Sequence, residues 1–269
     1  MVKGQLIFIG LGLYNEQDIT LYGFEELKKC DKVFAEFYTS NLIGLKISKF
    51  EKLIGKKIKI LSREQTERGE LILDAAENNN VGFLVCGDPM IATTHIDLRL
   101  RAIKKEIKTK IIHNGSIVTA APGLLGLQNY KFGRTTTLAF PENNYFPTSP
   151  YEVMSDNKKM GLHTLVLLDI KDDKKLYMTA NQGLDLLLEM EKKLGKNIIS
   201  YDSIACVVAR AGSPDLFVKA DKIENLKKQD FGPPLHAIVI PGKLHFMELE
   251  ALEILADLPK EIVKKMQKL

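Results

Sequence analysis

Short apolar runs, two of them closed by glycine, set the rhythm of the first half of the chain. Leu6-Ile7-Phe8-Ile9 stops at Gly10, and the same grammar returns at residues 32–37, 58–61, 81–86 and 110–112. Runs this short and mostly apolar predict strands buried on both faces of a parallel sheet. Ile96, Leu100, Ile103 and Ile107 fall at offsets of 0, 4, 7 and 11, the spacing of one apolar stripe along an otherwise polar helix. Strand and helix therefore alternate, as βαβ units require.

Beyond His113-Asn114-Gly115 the pattern changes. A helix is predicted from about Ser116, then strands at residues 136–140, 165–170, 204–209 and 237–240, with Leu184, Leu187, Leu188 and Leu194 on one side of a further helix. Residues 141–150, rich in Pro, Asn and Tyr, are expected to form a loop. A last helix is expected at residues 244–255, with a basic tail after Pro259 packed on or hanging from the second half. The chain is thus expected to be α/β, with two α/β domains at residues 1–113 and 114–269, the second built on a mixed sheet.

Composition narrows the function classes. Of 269 residues, 45% are hydrophobic and 27% charged, enough apolar material for a packed core. The net charge of +4 comes from lysines scattered over distant segments, such as Lys104, Lys105, Lys192, Lys193, Lys264 and Lys268, with no arginine-rich run and no interleaved aromatics. Nucleic acid is therefore not an expected partner, although a mildly basic surface could steer an acidic macromolecule. Cys30, Cys86 and Cys206 share no CxxC spacing, and two of them sit in apolar runs, so they read as buried thiols in a reducing compartment. The histidines form no HExxH and no ligand cluster, so no metal site is expected. The first residues read as a strand and not a leader, and no segment approaches a membrane span, so the expected location is the cytoplasm.

Three strings could carry chemistry. In the first, residues 9–20 (IGLGLYNEQDIT), Gly10 and Gly12 let backbone approach a ligand at a strand end. Asn15 occupies the sixth position of a would-be GxGxxG, and no helix follows promptly, which weighs against a dinucleotide site. In the second, Gly87-Asp88-Pro89 closes another strand, either as an ordinary turn or as a turn offering amides and a carboxylate at the mouth of the sheet. In the third, Asn114-Gly115-Ser116-Ile117, Ser116 suits a helix N-cap and lies at the expected domain junction. His236, just before a buried strand, reads as a satisfied structural histidine as readily as a functional one. Nucleophile-elbow, Walker and kinase signatures are absent.

Taken together, GLGL at residues 10–13, GDP at residues 87–89 and the Ser116-Ile117 step resemble the tetrapyrrole-methylase superfamily. Finer strings resemble its diphthine synthase branch: AEFYTS (35–40), ATTH (92–95), FPTS (146–149), MTAN (178–181), ARAGS (209–213) and PGKLH (241–245). The resemblance implies a cofactor cleft between the two domains that binds S-adenosylmethionine. Carried over position by position, its contacts fall on Leu13, Asp88, Ile91, Ser116, Ile117, Leu168, Ala211 and His236. It also implies methylation of the amino group on a modified histidine of translation elongation factor 2, and a homodimer. The acceptor candidates are Tyr38, Thr39, Ser40, Thr93, Thr94 and His95; no catalytic base is assigned. The apolar, aromatic-bearing run at residues 34–38 is a candidate for the dimer interface.

Three other readings stay open. A corrin or porphyrin methylase of the same superfamily is disfavoured by AEFYTS and PGKLH. A nicotinamide-dependent oxidoreductase has only Gly10 and Gly12 in its favour. A nucleotide-binding regulatory module would bind cofactor without turnover.

Overall fold

The computed structural model describes residues 4–142 and 146–267. They divide into two compact units: unit 1 runs to Ile117 and also takes in Asp172–Lys174, and unit 2 holds the rest. Residues 143–145 of the expected loop, Lys268 of the basic tail and the first three residues lie outside the described part.

Unit 1 contains β1 (Gln5–Gly10), α1 (Leu21–Lys29), β2 (Lys32–Glu36), α2 (Ile47–Ile54), β3 (Ile58–Leu61), α3 (Arg63–Arg68), α4 (Glu70–Ala76), β4 (Asn80–Val85), α5 (His95–Lys104) and β5 (Lys108–Ile112). Its sheet has the order β3-β2-β4-β1-β5, and every pairing is parallel. β1, β2 and β4 are buried as their apolar runs predict, whereas the edge strands β3 and β5 are partly open. Alternate side chains of the central strands feed two cores, one around Phe8, Phe83, Ile72 and Leu98 and one around Ile9, Leu84, Leu27 and Phe50. β1 connects past β4 to β2, while β4 connects past β1 to β5. The chain thus leaves this adjacent pair in opposite directions, which makes their carboxyl ends a topological switch point.

One helix differs from expectation. Ile96, Leu100 and Ile103 do share a face of α5, but they are 51%, 50% and 49% exposed. The core side is carried by His95, Leu98 and Ala102. These also recur at helical spacing, and the small Ala102 lets the helix lie close to the sheet. Ile107 is buried outside the helix, just ahead of β5.

α6 (Ile117–Leu125) starts on the last residue of unit 1. Unit 2 then contains β6 (Thr136–Leu138), α7 (Ser149–Lys159), β7 (Thr164–Leu168), β8 (Ile170–Lys171), β9 (Leu176–Tyr177), α8 (Ala180–Leu194), β10 (Ile204–Ala209), β11 (Phe217–Lys222), α9 (Ile223–Leu226), β12 (His236–Ile240), α10 (Phe246–Ala256) and α11 (Lys260–Met266). The main sheet, β11-β10-β12-β7-β6, is mixed: only β6 and β7 run parallel. The strand expected over residues 165–170 is interrupted at Asp169, whose N–H donates to the Leu138 carbonyl and whose carboxylate accepts from Phe140 N–H. β11 and the tail helix α11 are additions to the sequence reading.

Candidate functional site

The switch point of unit 1 is built from backbone. Gly12 and Gly87, with φ of +81° and +67°, follow the adjacent strands β1 and β4. They bond each other across the gap: Gly87 N–H donates to the Gly12 carbonyl at 2.7 Å and Gly12 N–H to the Gly87 carbonyl at 3.3 Å. At Gly10 a Cβ would meet the Gly87 carbonyl at 2.6 Å and Asn114 Cβ at 2.7 Å, so only glycine permits the two turns to approach this closely.

Polar side chains then lock the turns in place. Asn114 Nδ2 donates to the carbonyls of Gly10 and Asp18 at 2.9 Å each, and Asp18 Oδ2 accepts from the N–H groups of Leu13 and Tyr14. Asp88 is 4% exposed. Its carboxylate accepts from Met90 N–H and Asn114 N–H and lies 2.7 Å from His113 Nδ1. The sequence suggested a carboxylate presented at the sheet mouth; instead it points inward and ties the turn after β4 to the segment after β5. Its structural role follows from burial, because a buried carboxylate must collect donors. Ile91 N–H donates to the Asp88 carbonyl, and Ser116 is 5% exposed. Leu13, Asp88, Ile91 and Ser116 thus belong to the turns following β1, β4 and β5, and Ile117 opens α6 directly after the last of them.

Sequence reasoning passed over Asn114. Its signal is its contacts with backbone 104 and 96 residues away in sequence, which no local pattern announces.

The acceptor candidates lie on two neighbouring turns of unit 1. Tyr38, Thr39 and Ser40 follow β2, while Thr93, Thr94 and His95 lead into α5. Two hydroxyls are spent internally: Thr39 Oγ1 donates to Glu36, and Thr93 Oγ1 donates to the Pro89 carbonyl. Tyr38 and Thr94 line a cavity of about 250 Å³ together with His95, Thr66 and Glu67. Burial pushes the Tyr38 phenol up to about 12, so it remains a hydrogen-bond donor. The run at residues 34–38 expected to feed an interface is mostly strand interior: Phe34 is 6% exposed and Ala35 and Glu36 0%, because β2 is flanked by β3 and β4.

In unit 2, Leu168 ends β7, Ala211 lies in the turn after β10 and His236 opens β12. The antiparallel registers place all three at one end of that sheet. Both nitrogens of His236 are engaged: Nδ1 accepts from Ala180 N–H at 3.1 Å, and Nε2 lies 3.0 Å from the Pro233 carbonyl. Burial lowers its pKa, consistent with a neutral, structural ring.

The family model described as Tetrapyrrole (Corrin/Porphyrin) Methylases matches residues 5–227. The diphthine synthase of Methanothermobacter thermautotrophicus is 47% identical over 97% of this chain and 99% of its own length. That of Methanosarcina acetivorans is 50% identical over 97% of this chain and 99% of its own. A crystal structure of diphthine synthase superposes with a TM-score of 0.88 at 39% identity, covering 97% of this chain and 99% of that one.

Proposed function

The chain belongs to the tetrapyrrole methylases and, within them, to the diphthine synthases; as such it is an S-adenosylmethionine-dependent methyltransferase of diphthamide biosynthesis, and we propose that the turns after β1, β4 and β5 hold its cofactor. The observation that carries this is the Gly12–Gly87 bridge at the switch point, fastened by Asn114 and Asp88. The residues fit such a ligand. Gly115 offers open space where a Cβ would stand, backbone groups can meet the polar parts of an adenosine and an amino acid, and Ile91 and Ile117 can shield them from water. Leu13, Asp88, Ile91, Ser116 and Ile117 are the proposed contributors from unit 1, and Leu168, Ala211 and His236 those from unit 2. Asp88 acts by holding the turn, and His236 through its backbone.

When bound, S-adenosylmethionine supplies an already activated methyl group, so the protein's work is alignment and water exclusion. We further propose that the acceptor is the amino group of the modified histidine of translation elongation factor 2, methylated repeatedly on one nitrogen. An amine attacks only when neutral, so the site must accept an ammonium and release its proton. Tyr38, Thr39, Ser40, Thr93, Thr94 and His95 are the proposed acceptor side, with Tyr38 and Thr94 the hydroxyls facing the cavity. A homodimer in the cytoplasm completes the proposal. Among the described residues no helix is long and apolar enough to cross a membrane.

The test is direct. Purified enzyme, S-adenosylmethionine and factor carrying the amino-carboxypropyl histidine should give stepwise one-methyl mass increments confined to that residue. Equal methylation of unmodified factor, or of a corrin ring in preference, would refute the acceptor. A melting temperature raised by NAD and not by S-adenosylmethionine would refute the cofactor site.

A further inference from the structure

Glu36, the last residue of β2, is 0% exposed. Its carboxylate already accepts from Tyr38 N–H, Thr39 N–H and the Thr39 hydroxyl, three bonds that shape the turn after β2. Opposite it, in the first turn of α5, the His95 ring is 2% exposed and packs edge-on against Phe83. His95 Nδ1 lies 3.1 Å from the Pro89 carbonyl, which can only accept, so Nδ1 carries a proton. In the neutral ring this leaves a lone pair on Nε2. That atom lies 3.7 Å from Glu36 Oε1 and has no hydrogen-bond partner among the described residues. A lone pair and a carboxylate oxygen repel at this separation, and a single proton between them reverses the sign.

We propose that Glu36 and His95 hold one proton between them, and that this proton latches the turn at residues 37–40 to the turn at residues 89–95. Both act as positioning residues for the acceptor side, since Glu36 is fully buried and His95, at the cavity wall, is 2% exposed. The latch rests on the functional reading above, which gives those turns their purpose. Burial pushes the Glu36 carboxyl up and the His95 imidazole down, and both effects favour a neutral acid beside a neutral ring. The other groups facing the pair are the Cys86 thiol from the end of β4, which burial keeps protonated, and the Tyr38 phenol. Further out lie the pairs Arg63–Glu67 and Arg101–Asp97, and Asp172 beyond Cys86. As pH rises through the raised Glu36 value the proton leaves, the repulsion returns, and the cavity bounded by Tyr38, Thr94 and His95 loses its shape.

The experiment compares full-length wild type, Glu36→Gln and Glu36→Ala. Gln presents an N–H where the acid presents an O–H, and thus imitates the latched state permanently. Expected results are a KM for the factor raised roughly tenfold in Glu36→Ala and largely restored in Glu36→Gln, with the cofactor dissociation constant unchanged in both. The Glu36→Gln to wild-type ratio of kcat/KM should rise with pH, whatever the amine's own titration does, because that cancels. In parallel, the imidazole ¹⁵N spectrum of the wild type should show His95 as a neutral Nδ1–H tautomer that fails to titrate near the usual ~6.5. Equal damage in both variants with parallel pH profiles, or an Nε2–H tautomer, would overturn the latch. Should Glu36→Ala fail to fold, Glu36→Gln and the spectrum decide alone. If wild type methylates no factor, the functional reading falls, while the spectrum still decides whether the shared proton exists.

Discussion

Two sets of buried polar groups, one in each unit, are satisfied to different degrees. In unit 2, Glu248 is 0% exposed and accepts from Gln128 N–H, His245 N–H, the His163 ring and Lys131. The remaining His163 nitrogen accepts from Gly242 N–H. Asn157 bridges the Arg134 backbone and the Thr164 hydroxyl, and Glu191 gathers Tyr151 with three backbone N–H groups. Among the described residues none of these buried side chains leaves a polar atom without a partner, which is how a scaffold is stiffened. In unit 1, Glu36 and His95 face each other incompletely, and Tyr38 Oη stands beside the Thr94 hydroxyl without completing a bond. Saturated networks support structure; an unsaturated one beside a cavity marks where chemistry is expected.

Substitutions that separate stability from activity would break this contrast. The largest effect is expected in unit 2: Glu248→Ala strands His163 and Lys131 and should cost about 3–5 kcal/mol in denaturant unfolding. Acid provides a milder version. Burial alone would raise the Glu248 carboxyl, but the bonds from His245 N–H, Lys131, Gln128 N–H and His163 together hold it at about 2. A depressed carboxyl contributes stability above its unfolded value near 4.5 and loses it as pH falls through the folded one. Unit 2 should therefore loosen progressively over that interval, as read by hydrogen exchange of α10 amides.

In unit 1 the damage should fall on function. Gly10→Ala forces a Cβ against the Gly87 carbonyl, and the displaced turns should cost about 100-fold in methyl transfer. Asn114→Ala frees the carbonyls of Gly10 and Asp18 and should weaken cofactor binding about tenfold by calorimetry, roughly 1.4 kcal/mol. The smallest effect is expected from Leu100→Asp on the open face of α5, within about 0.5 kcal/mol of wild type in unfolding. If that face is where the proposed homodimer forms, sedimentation equilibrium will show the variant at the 30.2 kDa monomer mass.

Legibility in the sequence followed the range of the interactions. β1, β2 and β4 were readable because burial on both faces leaves an unbroken apolar run. β11 was not: Ala220 and Asp221 are both buried and interrupt any alternation, and the strand is defined by its antiparallel pairing with β10. On α5 two apolar faces competed, and the larger residues took the solvent side because His95, Leu98 and Ala102 fit the sheet more closely. At the site, the glycines of the two turns announced themselves, but Asn114 and Glu36 did not. An amide bonded to carbonyls far along the chain leaves no local trace, and a glutamate ending a strand reads as solvent-facing until its neighbours are known.

The Gly12–Gly87 bridge also bears on how this sequence can vary. Because each glycine holds the other through a reciprocal pair of backbone bonds, a change at one alters the demands on its counterpart 75 positions away. Residues 12 and 87 are therefore expected to vary together, and a homologue that has lost one glycine is expected to have rebuilt both loops.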